Sequence, residues 1–263
     1  MKSLFLLLCS VLLQVMSHAA PLPLLIAHRG ASHAAPENTI AAFKLAWEEG
    51  ADGIEGDFYL SSDGEVVCIH DADTQRVAGT KLVVTKTSWK DLAALDVGSW
   101  KSPAFKNERI PRLEDVLGVL PPNKRFFIEI KDGPRIVTPI QRILEEKHAD
   151  PKQVVLISFN PKVIEACRKE LPAYQAHWIS NLKDFPAKRD SYNTTLGQCG
   201  AQGFQFDAKT PVDPAWLSQL RDKGVSLTAW TVDDAELARK MIGCGVNHIT
   251  TNRPGSLRRE LAE

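Results

Sequence analysis

The stretch "IEGDFYLSSDGEVVCIHD", residues 54–71, places charged side chains inside two segments that otherwise have the composition of buried strands. Glu55 and Asp57 alternate with apolar residues, an Asp-Gly pair follows, and His70 ends the second apolar run. An Asp-Gly pair between alternating apolar runs predicts a two-residue hairpin turn of type I′. That turn would place Asp57 opposite His70 on one face, which Glu55 shares because it lies two residues from Asp57.

Around this stretch, short β-branched and aromatic runs alternate with amphipathic helical patterns through most of the chain. This alternation is typical of parallel strands joined by helices, and eight repeats of it predict an α/β fold of the (β/α)₈ TIM barrel type. An open doubly wound sheet is the alternative. The predicted strands are "LLIAH" 24–28, "GIEGDFY" 53–59, "RFFIEIK" 125–131, "VVLISF" 154–159, "QAHWIS" 175–180, "FQFD" 204–207, "VSLTAWTV" 225–232 and "NHITT" 247–251.

The interval between the second and third predicted strands is much longer than the others. The extra residues hold the second half of the opening stretch and a polar segment. We therefore expect a small insertion subdomain at about residues 72–110, above the carboxyl end of a single barrel domain that spans residues 24–260.

The amino terminus has the pattern of a signal peptide over residues 1–19, with one Lys, an apolar run and then small residues. The alternative of a membrane anchor is weakened because the run from Leu4 to Met16 is shorter than the ~20 residues that span a bilayer. A lipoprotein signal at Cys9 is a smaller alternative. The sequence thus predicts an exported protein, periplasmic or secreted, without stable membrane insertion.

Charge and cysteine content argue against nucleic acid as a partner and against a zinc or redox motif. The chain has 32 basic and 32 acidic residues, and this balance gives no electrostatic reason to expect nucleic acid. Four cysteines follow the predicted signal peptide at spacings that match no zinc or redox motif. We predict buried free thiols, with disulfides as the alternative, at Cys68, Cys167, Cys199 and Cys244.

Two further strands repeat the placement of polar groups. His28 and Arg29 end the first strand, where barrel enzymes carry catalytic groups, and Glu129 and Lys131 alternate at the end of the third. A core histidine or a solvated strand face would explain one such case, but less easily several. Clustered carboxylates repel one another unless a cation joins them, and oxygen ligands favour Mg²⁺ or Ca²⁺. Arg29 and Lys131 would suit an anionic substrate that carries a phosphate.

Four segments together resemble the glycerophosphodiester phosphodiesterase family over residues 24–254: "HRGASHAAPENTIAAF", "GADGIEGDFYLSSDGEVVCIHD", "FIEIK" and "AWTVDDAELARKMIGCGVNHITTNRP". The resemblance implies a barrel with a subdomain inserted after its second core strand, and a phosphoric diester hydrolase with one divalent cation. It assigns roles to eight residues: Glu55, Asp57 and Glu129 as metal ligands, His28 and His70 as general acid and base, and Arg29, Lys131 and Trp230 as substrate-binding residues.

Four residues near these motifs have alternative interpretations or depart from the family pattern. Trp230 either lines the glycerol or headgroup side of the pocket or packs in the barrel core. Glu37 matches the family motif, and a structural role for it is as good an interpretation as a site role. His33 stands where the family more often has a small residue. Asp71 is expected on the opposite face of its strand and is left outside the predicted site.

The predicted function is metal-dependent hydrolysis of glycerophosphodiesters, such as glycerophosphocholine or glycerophosphoethanolamine, to glycerol 3-phosphate and an alcohol. One alternative is a barrel phospholipase that acts on membrane lipids, and another is an exported phosphodiester-binding protein without catalysis. The sequence leaves open which histidine is the acid, whether water or a glycerol hydroxyl attacks, and the oligomeric state.

Overall fold

The computed structural model describes residues 22–263, so the predicted signal peptide at 1–19 lies outside the described residues. The strands of the described chain are β1 (Leu24–His28), β2 (Gly53–Leu60), β3 (Val66–Cys68), β4 (Arg125–Ile130), β5 (Val154–Ser158), β6 (Gln175–Ser180), β7 (Gly203–Asp207), β8 (Ser226–Trp230) and β9 (His248–Thr251). All but β3 run parallel, and β1 pairs with both β9 and β2, which closes the sheet. The predicted (β/α)₈ barrel is therefore confirmed, and the open sheet was the wrong alternative.

Helices follow the strands, and most of them cover the outside of the barrel. They are α1 (Ile40–Glu48), α2 (Gln75–Ala78), α3 (Trp89–Ala93), α4 (Leu113–Leu117), α5 (Val137–Glu146), α6 (Pro161–Glu170), α7 (Arg189–Cys199), α8 (Pro214–Asp222), α9 (Ala235–Gly243) and α10 (Pro254–Ala262). Side-chain caps begin several of them: Thr39 accepts from Ala42 N, and Asp213 accepts from Ala215 N. None of the helices within residues 22–263 is long and apolar enough to cross a membrane.

The hairpin after β2 has a different register from the predicted one. Only Gly64 of the Asp-Gly pair has positive φ, at 92°, so the two-residue type I′ turn does not form. The turn contains three residues instead, because the Asp63 carboxylate accepts from the Ser61 hydroxyl and from Trp89 N of α3. The strands β2 and β3 pair Phe58 with Cys68, which moves every partner by one residue.

The predicted pairing of Asp57 with His70 is therefore wrong. The backbone N–H of Ile69 donates to the Asp57 carbonyl at 2.8 Å, and His70 lies beyond the end of β3. A shift of one residue exchanges the two faces of a strand. His70 still reaches the barrel mouth, but it does so from the loop that follows β3.

The insertion after β2 has a small hydrophobic core of its own. It contains α2, α3 and two 3₁₀ turns, Val84–Lys86 and Pro103–Phe105. Seven buried apolar residues form this core: Val67, Ile69, Val77, Val84, Leu92, Val97 and Ile110. Lys101 Nζ donates to the Ser32 carbonyl in the loop after β1. The insertion thus contacts the loop after β1, which lies at the carboxyl end of the barrel.

The four cysteines Cys68, Cys167, Cys199 and Cys244 are buried and free, which confirms the predicted thiols. Burial raises the pKa of the Cys167 thiol to about 12. These side chains therefore behave as small apolar groups of the core.

Candidate active site

Three buried carboxylates meet at the carboxyl ends of β2 and β4. Glu55 and Asp57 point into the barrel from alternate positions of β2, as the two-residue period of a strand requires. The parallel register of β2 and β4 pairs Asp57 with Glu129. One oxygen from each carboxylate lies within 4.8 Å of an oxygen from the other two, so the cluster could hold a metal ion.

The electrostatics of this cluster fit a bound cation. Burial, with the charges of Asp57 and Glu129, raises the pKa of Glu55 well above its usual value. Burial and Asp57 raise the pKa of Glu129 to about 7. Glu55 Oε1 is buried and has no hydrogen-bond partner among residues 22–263. A divalent cation would supply that partner and relieve the repulsion, and an all-oxygen ligand set suits a hard ion.

Two basic side chains lie against the same carboxylates. Arg29 Nε is 3.3 Å from Asp57 Oδ2, and Lys131 Nζ is 2.8 Å from Glu129 Oε1 and 3.4 Å from Asp57 Oδ1. Burial opposes ionisation of Asp57, but Arg29 and Lys131 outweigh it and lower its pKa. Two cations beside three carboxylates leave one excess negative charge, which again favours a further cation in the cluster.

A tight turn after β1 positions Arg29. Its φ of 57° is left-handed, and its backbone N–H donates to Glu55 Oε2 at 2.9 Å. The next residue, Gly30, has φ of 80°, and a Cβ there would lie 2.6 Å from the carbonyl carbon of Ala42. Only glycine therefore allows the chain to turn this close to α1. The N–H of exposed His33 donates to the Asn252 carbonyl, so this loop is tied to the end of β9.

His28 is held as a neutral imidazole. Its Nδ1 lies 2.8 Å from Asn252 Oδ1, and the Asn252 amide nitrogen donates to Asp233 Oδ2 at 2.5 Å. Because a carboxylate only accepts, Asp233 fixes the orientation of the amide, and Asn252 Oδ1 must then accept from His28 Nδ1–H. Burial, together with the charge of Arg29, lowers the pKa of His28 to about 4. His28 therefore keeps Nε2 as an unprotonated acceptor at the cavity.

His70 lines the same cavity and is held by its neighbour in sequence. Its Nδ1 lies 2.7 Å from Asp71 Oδ1, so only Nε2 remains for a ligand. The expected position of Asp71 on the opposite face of a strand is wrong, because the strand ends at Cys68 and residues 70 and 71 lie in a loop. In that loop, alternation of faces no longer applies, and the Asp71 carboxylate turns to the imidazole.

Arg76 of the insertion links the carboxylates of Asp71 and Glu37. Its Nε donates to Asp71 Oδ2 at 2.6 Å, and its two terminal nitrogens donate to the Glu37 carboxylate, each at 2.8 Å. Glu37 Oε1 also accepts from an Arg29 terminal nitrogen at 2.9 Å. Glu37 therefore contacts the site through Arg29.

The opposite wall of the cavity is mostly apolar. The cavity has a volume of about 160 Å³. The Trp230 ring packs edge-on against Phe159 with 5.7 Å between centroids, and both line the cavity. Ile157, Ile179 and Gln205, which lie on β5, β6 and β7, also line it. Trp230 is thus a wall residue, with the barrel-core cluster of Ile26 and Phe127 beneath it.

The structure brings all eight predicted site residues together and adds others that the sequence analysis missed. The added residues are Asp71, Arg76, Asn252, Asp233 and Gln205. The position of Asn252 in the sequence could have indicated it, because it directly follows β9, the strand that pairs with the one carrying His28. No sequence pattern indicates Arg76, since its partner Glu37 is 39 residues away along the chain.

Comparison with known proteins places the chain in a family. Residues 28–256 match the model of the glycerophosphoryl diester phosphodiesterase family. A glycerophosphodiester phosphodiesterase of Caldanaerobacter subterraneus is 33% identical over 246 residues, which cover 89% of this chain and 96% of that protein. A glycerophosphodiester phosphodiesterase of Bacillus subtilis is 26% identical over 247 residues, which cover 88% of this chain and 84% of that protein.

Solved structures agree with this placement. An Oleispira antarctica phosphodiesterase in complex with the product sn-glycerol-3-phosphate superposes with a TM-score of 0.84 and 25% identity, covering 92% of this chain and 98% of that one. A glycerophosphodiester phosphodiesterase from Agrobacterium tumefaciens shares the fold, with a TM-score of 0.76 and 24% identity over 89% of this chain and 98% of that one. The chain belongs to the glycerophosphoryl diester phosphodiesterase family and is a phosphoric diester hydrolase.

Proposed function

We propose that the protein hydrolyses glycerophosphodiesters, such as glycerophosphocholine and glycerophosphoethanolamine, to glycerol 3-phosphate and an alcohol, and that it needs one divalent cation to do so. The observation that carries the proposal is the meeting of buried carboxylates, two basic side chains and two histidines around one cavity. The Oleispira phosphodiesterase with bound sn-glycerol-3-phosphate supports the same product class.

We infer that Glu55, Asp57 and Glu129 hold the cation, and that both Mg²⁺ and Ca²⁺ suit these carboxylate oxygens. When bound, such a cation supplies positive charge that offsets the negative charge of a phosphate oxygen. The raised pKa values of Glu55 and Glu129 support the inference, because they mark a site where negative charge lacks compensation.

Arg29 and Lys131 would bind the phosphate oxygens. Arg29 offers a planar fork of donors and Lys131 a compact charge, and both line the cavity. The carboxylates Glu37 and Glu129 hold these cations in place before any substrate arrives. Donors that are already oriented stabilise transition-state charge without further reorganisation.

His28 is suited to the role of general base, because the Asn252 contact fixes its neutral tautomer with Nε2 free. It would take a proton from the nucleophile, which is either water or the neighbouring glycerol hydroxyl. His70 would then protonate the leaving alkoxide from its own Nε2, while Asp71 orients the ring. Each proton transfer contributes ~10²–10⁴-fold to the rate.

The phospholipase alternative is less well supported by the surface of the insertion. A lipid-docking rim needs a contiguous exposed apolar patch. Among its large apolar side chains only Val83 and Trp100 are exposed, and Val84 is buried in the subdomain core. The alternative of a binding protein without catalysis lacks support as well, because every predicted acid, base and carboxylate is present.

The test is release of glycerol 3-phosphate from soluble diesters and from phospholipid vesicles, each with and without chelator. We expect turnover of glycerophosphocholine and glycerophosphoethanolamine that chelator abolishes, and no release from vesicles. Faster reaction with vesicles would favour the phospholipase alternative. Tight diester binding without any product would favour the binding protein.

We also propose that the protein is exported after cleavage of residues 1–19. Sequencing the amino terminus of protein purified from the periplasm or culture medium should find Ala20 first. Recovery only from the cytoplasm, with the terminus at Met1, would contradict export.

A further inference from the structure

Gln205 carries a polar group in the cavity that the proposed mechanism does not use. It lies on β7 between Phe204 and Phe206, whose side chains point out toward the helices, so its own side chain points into the barrel. The residue is 3% exposed and lines the cavity, and its Nε2 has no hydrogen-bond partner among residues 22–263. Such an unpaired buried donor is costly, which indicates a partner supplied by a ligand.

The topology places this donor far from the phosphate-binding groups. Around the closed sheet, β7 is the fourth strand from β2, and β8 is the fourth from β4, so each pair faces across the barrel. Trp230, at the end of β8, has a buried Nε1 that also lacks a partner among the described residues. Both residues thus line the cavity on the wall opposite the carboxylates, Arg29 and Lys131, and each carries an N–H group without a partner among residues 22–263.

A hydroxyl group fits this wall better than a charged group. The Gln205 amide can donate or accept, and a hydroxyl can do both, so either orientation of the amide finds a partner. Ile157 and Ile179 line the cavity beside Gln205 and are buried, so the cavity is closed to solvent at the end where Gln205 lies. A closed end suits the part of the substrate that has a constant size, whereas a variable headgroup needs the open side near Phe159, which is 44% exposed.

We propose that Gln205 is a specificity-determining residue that hydrogen-bonds the terminal hydroxyl of the substrate's glycerol, the one farthest from the phosphate. The inference rests on the proposed function, since it assumes that phosphate lies at Arg29 and Lys131. It implies that the enzyme discriminates against substrates whose terminal hydroxyl is missing or acylated, because Gln205 is then left buried and unpaired.

The test compares two ligands that differ only in this hydroxyl, sn-glycerol 3-phosphate and 2-hydroxypropyl phosphate. Calorimetry gives their affinities for the protein with Mg²⁺ or Ca²⁺ present, and hydrolysis of the two corresponding phosphocholine diesters gives kcat/KM. Both are measured for the unmodified protein, for Gln205→Leu, and for Ile179→Val. The last is a matched control, because Ile179 is the β6 partner of Gln205 in the same cavity and has no polar group.

We expect the unmodified protein to prefer the glycerol compounds by roughly 10- to 100-fold, the effect of leaving one buried donor unpaired. Gln205→Leu should bring this ratio to within about threefold of one, while Ile179→Val should keep it. Should Gln205→Leu not fold, Gln205→Met serves in its place. A ratio near one in the unmodified protein, or a ratio that Gln205→Leu leaves intact, would overturn the assignment while diester hydrolysis stands. Failure of the unmodified protein to hydrolyse either diester would instead overturn the proposed function.

Discussion

Replacement of Arg76 by Ala should lower turnover although Arg76 lies outside the cavity lining. In the structure its guanidinium holds Asp71, which orients His70, and Glu37, which orients Arg29. Loss of these contacts frees both carboxylates to move away from the groups that they orient. Misplacement of catalytic groups by about 1 Å can cost roughly 10²-fold in rate, so we expect kcat/KM to fall about 10- to 100-fold.

The expected effect on stability is small. The Arg76 side chain is 42% exposed, and ion pairs of that exposure contribute at most about 1 kcal/mol to the free energy of unfolding. A matched control is Arg112→Ala, because Arg112 is similarly exposed and lies within 4 Å of three carboxylates, those of Glu65, Glu114 and Asp115. None of these residues lines the cavity.

The assay combines steady-state hydrolysis of glycerophosphocholine with thermal unfolding for both variants. Both should unfold at similar temperatures, but only Arg76→Ala should lose turnover, and Arg76→Lys should restore part of it by contacting one carboxylate. Equal activity of the two alanine variants would refute the idea that Arg76 positions His70 and Arg29.

Two further predictions concern histidines. His70→Ala should remove turnover while affinity for glycerol 3-phosphate changes little, and unchanged turnover would dismiss His70 as a proton carrier. Burial lowers the pKa values of His177 and His248 to about 3 and about 4. In the unfolded chain both imidazoles have a pKa near 6.5, so only the unfolded chain binds these protons as the pH falls from 6.5 to 4. The free energy of unfolding should then decrease with falling pH by up to about 1.4 kcal/mol per pH unit for each histidine. Denaturant unfolding at several pH values gives the slope of the free energy of unfolding against pH. This slope should be shallower for His248→Phe but not for exposed His148→Gln, and equal slopes for the two variants would contradict the linkage.

The sequence predicted those parts of the protein that depend on local periodicity. Alternation of apolar residues located each barrel strand to within about two residues at each end, and it placed Glu55 and Asp57 on one face. The side chains at strand ends, such as His28 and Lys131, could be grouped because parallel strands present their carboxyl ends at one rim.

What the sequence did not predict depends on contacts between distant segments. The Asp-Gly pair indicated a hairpin, but the length of the turn depends on Asp63 accepting from Trp89 N in the insertion. The error of one residue in register followed from that contact. Similarly, the contacts of Arg76 with Glu37 and of His28 with Asn252 join segments that only the closed barrel brings together.

The most direct test of metal-dependent hydrolysis is titration of chelator-treated protein with Mg²⁺ or Ca²⁺ while glycerol 3-phosphate release is followed. Activity should return with one equivalent of bound cation, and Glu129→Gln should neither bind that cation tightly nor regain activity. Full activity in the presence of excess chelator would contradict the assignment of Glu55, Asp57 and Glu129 as a metal site.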